Sequence, residues 1–310
     1  DDLARILTQE QGKPLGDAMG EIMGASLFCR YFQTLDLPVE ILEDSDTQRV
    51  EIHHNPLGVV GAIIPWNFPV MLLAFKLPAA LLGGNSIIIK PAPTTPLATL
   101  HLGRLIADVL PAGVVNIIAD NNDLGDKITT HKDIDKISFT GSTATGARVM
   151  ASAASTLKRV TLELGGNDAG IVMGDVDVEK VAPQIFQGAF GNNGQICIAM
   201  KRVYAHETVY DQLVDELAKL ADEAVVGNGL EQGTQLGPLQ NKMQFDKVKD
   251  YIEDGRANGT IVAGGVAPEG EGYFVRPTIV RDIDDNSRLV REEQFGPVLP
   301  VIKYNDIDNV

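Results

Sequence analysis

The chain has 310 residues, 44% apolar and 22% charged, the composition of a soluble globular protein long enough for about two domains. Its net charge of −16 argues against nucleic acid or an anionic membrane as partner, and no uninterrupted apolar run reaches the ~20 residues that span a bilayer. The only two cysteines, Cys29 and Cys197, differ in context and lie far apart, so no disulfide framework is expected and a reducing, cytoplasmic compartment is.

In chain order, Asp1-Asp2-Leu3-Ala4-Arg5-Ile6-Leu7 already has helical apolar spacing without an initiator Met, and the chain stops at Asn309-Val310 just after an apolar run. This reads as an internal fragment, with any targeting signal outside it. Ile22, Ala25, Cys29 and Phe32 recur at helical spacing and place Cys29 on an apolar stripe as inert packing. Residues 38–56 alternate around the acidic turn Glu43-Asp44-Ser45-Asp46 and predict an exposed antiparallel hairpin that needs something else to pack on.

From Val59 onward, short apolar strands are predicted at 59–64, 86–90, 114–118, 136–139 and 160–164, with helices at 96–110 and 143–155 between them. That alternation is the signature of parallel α/β architecture with the sheet covered on both faces. Gly165-Gly166 breaks the pattern, and a second α/β region follows with helical segments at 178–190, 209–225 and 240–258. The expected division is 1–165 and 166–310.

Four strand ends and one loop carry candidate chemistry. Cys197 closes Phe190-Gly191-Asn192-Asn193-Gly194-Gln195-Ile196-Cys197, a small polar loop that reads as the presentation of a nucleophile, although a cysteine can equally be a small core hydrophobe on this segment alone. Asn67, between Pro65-Trp66 and Phe68-Pro69 after the first strand, is suited to donate to an oxyanion and equally to face solvent in a rigid turn. Lys90 ends the second strand, where a lone lysine is commonly a surface charge. Phe139-Thr140-Gly141-Ser142-Thr143 runs from strand into helix and suits a phosphate, without the spacing of a G-x-G-x-x-G loop and without the Lys-Ser/Thr of a P-loop. Glu163 in an apolar strand is a candidate buried general base, or the partner of a nearby cation. The five histidines offer no metal site, and a Cys-His dyad stays open.

Taken together, Pro65-Trp66-Asn67-Phe68-Pro69, Lys90-Pro91-Ala92, Phe139-Thr140-Gly141-Ser142-Thr143, Leu162-Glu163-Leu164-Gly165-Gly166, Gly194-Gln195-Ile196-Cys197 and Glu292-Glu293-Gln294-Phe295-Gly296-Pro297 resemble the aldehyde dehydrogenase superfamily in order and approximate spacing. The resemblance spans essentially the whole chain and implies that segments at both ends of the family's usual length are absent. It implies a modified Rossmann cofactor domain over 1–165, a catalytic domain over 166–310, and an oligomerisation arm at 38–56.

By motif, the resemblance makes Cys197 the nucleophile, Glu163 the base and Asn67 an oxyanion donor beside the Cys197 amide. Lys90 resembles the residue holding the adenosine ribose, Gly141 and Ser142 lie by the pyrophosphate, and Glu293 with Phe295 resembles the nicotinamide-ribose clamp, joined by Gln244. Ile64, Pro65, Trp66, Pro93, Leu164 and Gly165 complete the expected cofactor contacts. Phe68, Leu72 and Phe75, at i, i+4 and i+7, resemble a substrate-tunnel wall and favour apolar aliphatic or aromatic aldehydes over semialdehydes.

Pro93 stands where many members carry glutamate, Asn167 where lysine is common, and Asp120-Asn121 interrupt a loop that usually bears glycine. With that glutamate missing and Lys90 keeping its positive charge, NADP is expected to serve at least comparably to NAD, unless Asp120 reaches the ribose. The expected partner is a small aldehyde, with a homodimer or homotetramer for the full-length parent. The alternatives are a semialdehyde dehydrogenase of the same family, a cofactor-independent cysteine hydrolase or thioesterase, and a non-catalytic relative.

Overall fold

The computed structural model describes residues 1–267, 270 and 272–310. Two helices open the chain, α1 (Asp2–Gln11) and α2 (Leu15–Phe32). The chain divides into two compact units, one of Asp1–Glu10 with Ala18–Leu164 and one of Gln11–Asp17 with Gly165–Val310. The short segment Gln11–Asp17 thus counts with the second unit, because Gln11 donates its side-chain amide to Asn192 at 3.2 Å and the Leu15 amide bonds the Gly229 carbonyl.

In the first unit β1 (Glu40–Asp44) and β2 (Arg49–Ile52) form the antiparallel hairpin read from the sequence, paired from Glu40 opposite Ile52, with an irregularity between Ile41 and Glu43. It leaves Ile41, Leu42 and Ile52 exposed. There follow β3 (Val59–Ile63), α3 (Pro69–Ala74), α4 (Leu77–Leu82), β4 (Ser86–Lys90), α5 (Leu97–Ile106), β5 (Val115–Ile117), α6 (Gly125–Thr130), β6 (Lys136–Thr140), α7 (Thr143–Ala153) and β7 (Arg159–Glu163). The five strands from β3 to β7 make one parallel sheet in the order β5-β4-β3-β6-β7.

Chain order builds outward from β3 to β5 on one side and then resumes at β6 on the other, so the direction reverses between β3 and β6. That reversal is a topological switch point, where an open parallel sheet leaves a crevice at the carboxyl ends of its strands. Ile87, Ile89 and Ile137 are fully buried in the sheet, and the first two share a core with Val60, Ala62, Leu73 and Leu77. The helix expected over 96–110 ends at Ile106: the Val109 and Leu110 amides both converge on the Ile106 carbonyl, a tightened turn ahead of Pro111.

The second unit contains β8 (Asp168–Val172), α8 (Val178–Phe190), β9 (Met200–His206), α9 (Glu207–Glu223), α10 (Lys242–Asn258), β10 (Thr260–Ala263), β11 (Thr278–Arg281), α11 (Arg288–Arg291) and β12 (Val298–Tyr304). Its sheet runs β10-β11-β12-β9-β8, parallel except where β10 meets β11. Tyr210, Leu213, Val214, Leu217 and Ala221 of α9 recur at helical spacing and pack with Val203, Ala205, Ile279, Leu299 and Val301 of the sheet.

One buried carboxylate secures the turn that follows β3. The short helix α3 has no side-chain cap of its own, and Glu21 of α2 accepts from the amides of Val70 at 2.9 Å and Met71 at 3.1 Å while only 6% exposed. Glu21→Ala should therefore leave two buried amides without their acceptor and cost about 2–4 kcal/mol by urea unfolding. A loss below ~0.5 kcal/mol would show that water replaces the carboxylate without penalty.

Candidate active site

In the first unit the predicted residues gather along one edge of the sheet. Ile64-Pro65-Trp66-Asn67 leave β3, Lys90 ends β4, Gly141-Ser142 leave β6 and Glu163 ends β7. Asn67 is 5% exposed, which removes the alternative of a solvent-facing turn residue. Ser142 caps α7, its hydroxyl oxygen accepting from the Thr145 amide at 3.3 Å, and the first residues of α7 are open to solvent. Pro93 is exposed on the loop after β4. Leu72 lies half-buried against the core, whereas Phe75 is exposed and its ring meets that of Phe28 at 4.8 Å.

Glu163 departs from expectation, because its side chain is exposed at the end of β7 and not buried. The strand faces explain this: β7 is the edge strand of the sheet and has no fully buried residue. The buried ionisable group here is one the sequence analysis passed over. Lys76 is 7% exposed and donates its ammonium to the Thr140 hydroxyl at 2.7 Å. Burial pushes Lys76 down to about 8, against the pull of the Glu163 carboxylate, with Lys136 adding to the fall. Its position between the apolar helices α3 and α4 was the available signal.

Lys90 is also not the surface charge that a lone strand-end lysine usually is. Its ammonium meets Asp120 Oδ1 at 2.9 Å and the Pro91 carbonyl at 3.1 Å, with the two charged side chains 5% and 0% exposed. Burial alone would raise Asp120, but hydrogen bonds from Lys90 and the Leu124 amide, with the Lys90 charge, hold its carboxyl below the usual range. The positive charge on which the NADP expectation rested is therefore already paired.

In the second unit the approach to Cys197 is a run of left-handed backbone: Asn192 at φ 48°, Asn193 at 57° and Gly194 at 74°. Asparagine tolerates that region better than other side chains, which explains the Asn-Asn-Gly sequence. A Cβ on Gly194 would stand 2.4 Å from the Gly296 carbonyl oxygen, so only glycine allows the two loops to meet backbone to backbone. Side-chain amides fix the run: Asn193 donates to the Gly237 carbonyl at 3.0 Å, and Gln195, fully buried, donates to the Asn192 carbonyl at 2.8 Å and accepts from the Gln240 amide at 2.9 Å. Cys197 itself is half-buried and not in a disulfide. It is presented, not packed away.

Beside it stands the turn before β12. Glu293 Oε1 accepts from the Gly166 amide at 3.2 Å, and Phe295 holds the left-handed region at φ 54°, a strained setting for a side chain with a Cβ. Gln244 gives both amide hydrogens to this turn, to the Gln294 carbonyl at 2.9 Å and the Phe295 carbonyl at 2.8 Å. Its amide hydrogens thus hold the turn that carries Glu293 and Phe295. Lys247 adds a bond to the Glu293 carbonyl at 2.9 Å. Cys29 is half-buried on α2, its thiol pushed up by burial.

A family model described as the aldehyde dehydrogenase family matches residues 1–310. The chain belongs to the aldehyde dehydrogenase family. It is 46% identical over 312 residues to a probable aldehyde dehydrogenase of a Pseudomonas species, an alignment covering 100% of this chain and 64% of that protein. The chain thus spans about two-thirds of the length of such relatives. Among solved structures, an NAD+ complex of an aldehyde dehydrogenase from Bacillus cereus superposes at TM-score 0.95 with 39% identity, over 99% of this chain and 64% of that one. A structure described as an E. coli NADP dependent enzyme superposes at 0.94 with 36% identity, over 100% and 66%. As in other family members, the fold is α/β with parallel sheets.

The depressed Lys76 ammonium makes stability depend on pH in a definite direction. Between about 8 and the ordinary 10.5 the unfolded chain holds a proton that the folded chain has lost, so stability rises with pH across that window. Measured against Lys76→Met, the unfolding free energy of the wild type in urea should gain ~2 kcal/mol between about pH 8 and about pH 9.5. A flat difference would show that Lys76 keeps its ordinary affinity for protons.

Proposed function

We propose that this chain carries the cofactor-binding and nucleophile-bearing parts of an NAD(P)-dependent aldehyde dehydrogenase that oxidises an apolar aldehyde to a carboxylic acid. The observation that carries this reading is Cys197, held on three successive left-handed residues and braced by buried amides, an arrangement that a packing cysteine does not need. A cysteine hydrolase would leave the strained Glu293–Phe295 turn and the Lys90–Asp120 pair without a purpose.

The first unit suits a dinucleotide. Its switch point lies between β3 and β6, and the exposed amino end of α7 offers a positive dipole end to a pyrophosphate beside Gly141 and Ser142. In the second unit Glu293 and the Phe295 turn would hold the nicotinamide end. A bound nicotinamide supplies the acceptor for the two electrons that the aldehyde loses.

In this mechanism the Cys197 thiolate adds to the aldehyde carbon, the Cys197 backbone N–H donates to the oxygen that becomes negative, and the family resemblance gives Asn67 the role of a further donor. The former aldehyde hydrogen leaves the adduct together with the electron pair of its C–H bond, which leaves a thioester on Cys197. A water that gives up a proton to a general base, the role the family resemblance gives Glu163, attacks this thioester, the carboxylic acid departs and the thiolate is regenerated. The exposed carboxylate of Glu163 can meet water without first breaking an ion pair. Phe68, Leu72 and Phe75 supply an apolar wall with no cation to pair a substrate carboxylate. The exposed Ile41, Leu42 and Ile52 of the hairpin fit a second copy of the protein. No helix among the described residues is long and apolar enough to cross a membrane.

Cys197→Ala in the full-length protein should abolish aldehyde oxidation and leave cofactor affinity nearly intact. Turnover above a few per cent of wild type sinks the assignment of the nucleophile.

Cofactor choice follows from the buried pair. Asp120 neutralises Lys90 and sets a carboxylate where a 2′-phosphate would need positive charge, so NAD is favoured over NADP, the reverse of the sequence expectation. Asp120→Asn should improve NADP affinity relative to NAD by about tenfold, read as cofactor-dependent quenching of Trp66, the only tryptophan. A ratio unchanged within about twofold would refute the role of Asp120.

A further inference from the structure

The second unit buries a lysine beside the Cys197 loop that none of the roles above uses. Lys201, the second residue of β9, is 1% exposed, and the alternation of the strand puts it on the same face as the core residues Val203 and Ala205. A strand that places a lysine in phase with its core carries a cost in desolvation, and the ammonium must find partners. It finds them on the loop of the nucleophile. Lys201 Nζ donates to the Ile196 carbonyl at 2.5 Å and to the Ala199 carbonyl at 3.2 Å, one residue before and two residues after Cys197. It also lies 5.7 Å from the centre of the Phe295 ring.

We propose that Lys201 is a positioning residue for Cys197, its buried ammonium tying down the backbone on both sides of the thiol and supplying a fixed positive charge that favours the thiolate. The proposal rests on the reading of Cys197 as nucleophile. Two physical effects work together. The two carbonyl bonds hold the segment that follows the left-handed run, so the thiol does not wander. The charge acts both through space on the sulfur and through the Ile196–Cys197 peptide: a cation on the Ile196 oxygen polarises that peptide and makes the Cys197 N–H a stronger donor to an oxyanion.

The ammonium is not isolated. Its charged and titratable neighbours are Glu293 before β12, Asp168 at the start of β8, Cys197 itself and Lys247 of α10; burial pulls Lys201 below its ordinary range while the two carboxylates and the thiol pull it back. The carboxylates also temper its effect on sulfur. Gln294 completes the frame by donating its side-chain amide to the Lys201 carbonyl at 2.8 Å, which ties the start of β9 to the turn before β12.

The test is the pH dependence of Cys197 alkylation by iodoacetamide, followed by mass spectrometry in a Cys29→Ala background, for wild type, Lys201→Met, Lys201→Gln and Lys201→Arg in the full-length protein. Removing the charge should move the midpoint of the profile up by roughly half a unit to one unit and slow alkylation at neutral pH about threefold to tenfold, while Lys201→Arg keeps the wild-type midpoint. A uniform slowing at every pH with the midpoint fixed would reduce Lys201 to packing and overturn the proposal. So would an equal shift in all three variants, since the arginine keeps the charge. Should Lys201→Met fail to fold, the glutamine and arginine pair decides alone. Because the readout needs neither aldehyde nor cofactor, a protein that alkylates as expected but oxidises no aldehyde would refute the proposed function and leave this inference standing.

Discussion

The backbone of Asn192, Asn193 and Gly194 turns left-handed three times in succession, and it can do so only because Gly194 presents no Cβ to the Gly296 carbonyl. Much of the second unit's chemistry is arranged around that contact. With the two loops touching through their backbones, Gln195 is driven into the interior, where it braces Asn192 and the Gln240 amide, and the thiol two residues on is left half-open. The turn on the other side is held just as firmly by Gln244 and Lys247, which is how Phe295 can keep a left-handed conformation that would otherwise relax. Strain of a few kcal/mol persists only where its surroundings over-determine it. Here the surroundings are side-chain amides, which hold a backbone by direction as well as by distance.

The first unit solves a different problem by topology. A parallel sheet grown outward from β3 in both directions must leave a gap at the carboxyl end of its centre, and the residues that leave β3 and β6 border that gap whatever their identity. The sequence then decides what is placed there: a buried amide at Asn67, a serine-capped helix start at Ser142, and the lysines Lys76 and Lys90 just within the rim. The acidic Glu21 secures the turn after Asn67 from beneath. Scaffold and chemistry are thus separable here, since the crevice comes from strand order and the electrostatics from a handful of side chains.

This separation governs how much the sequence discloses. Strand positions from Val59 to Glu163 are legible because each is a short apolar run bounded by turn residues, and the hairpin is legible from its acidic turn. The Cys197 loop is legible because Gly and Asn at successive positions have few uses other than positive φ. Burial of single charged groups is not. Glu163 looks buried from its apolar neighbours, but β7 lies at the sheet's edge, and strand order is not written in any local pattern. Lys90 looks like a surface charge because its partner Asp120 stands thirty residues away in the sequence. Gln244 falls within a motif-bearing region, yet only its hydrogen bonds show that both donors are committed. Lys201 did leave a signal, in its phase with Val203 and Ala205.

Among the described residues the buried charged side chains include Lys13, Glu21, Lys76, Lys90 and Lys201, with Asp120 against Lys90, so cations outnumber anions inside a chain of net charge −16. Stability does not explain that bias, since a buried charge satisfied by hydrogen bonds is often matched or bettered by an apolar side chain of similar volume. Position explains more. Lys76, Lys90 and Lys201 each lie beside a strand end or loop that carries candidate chemistry, and each has its ammonium tied to a hydroxyl, a carboxylate or main-chain carbonyls. A compact ammonium can be satisfied by the carbonyls that loops and strand ends leave unpaired, and it then imposes a fixed positive potential where water is scarce.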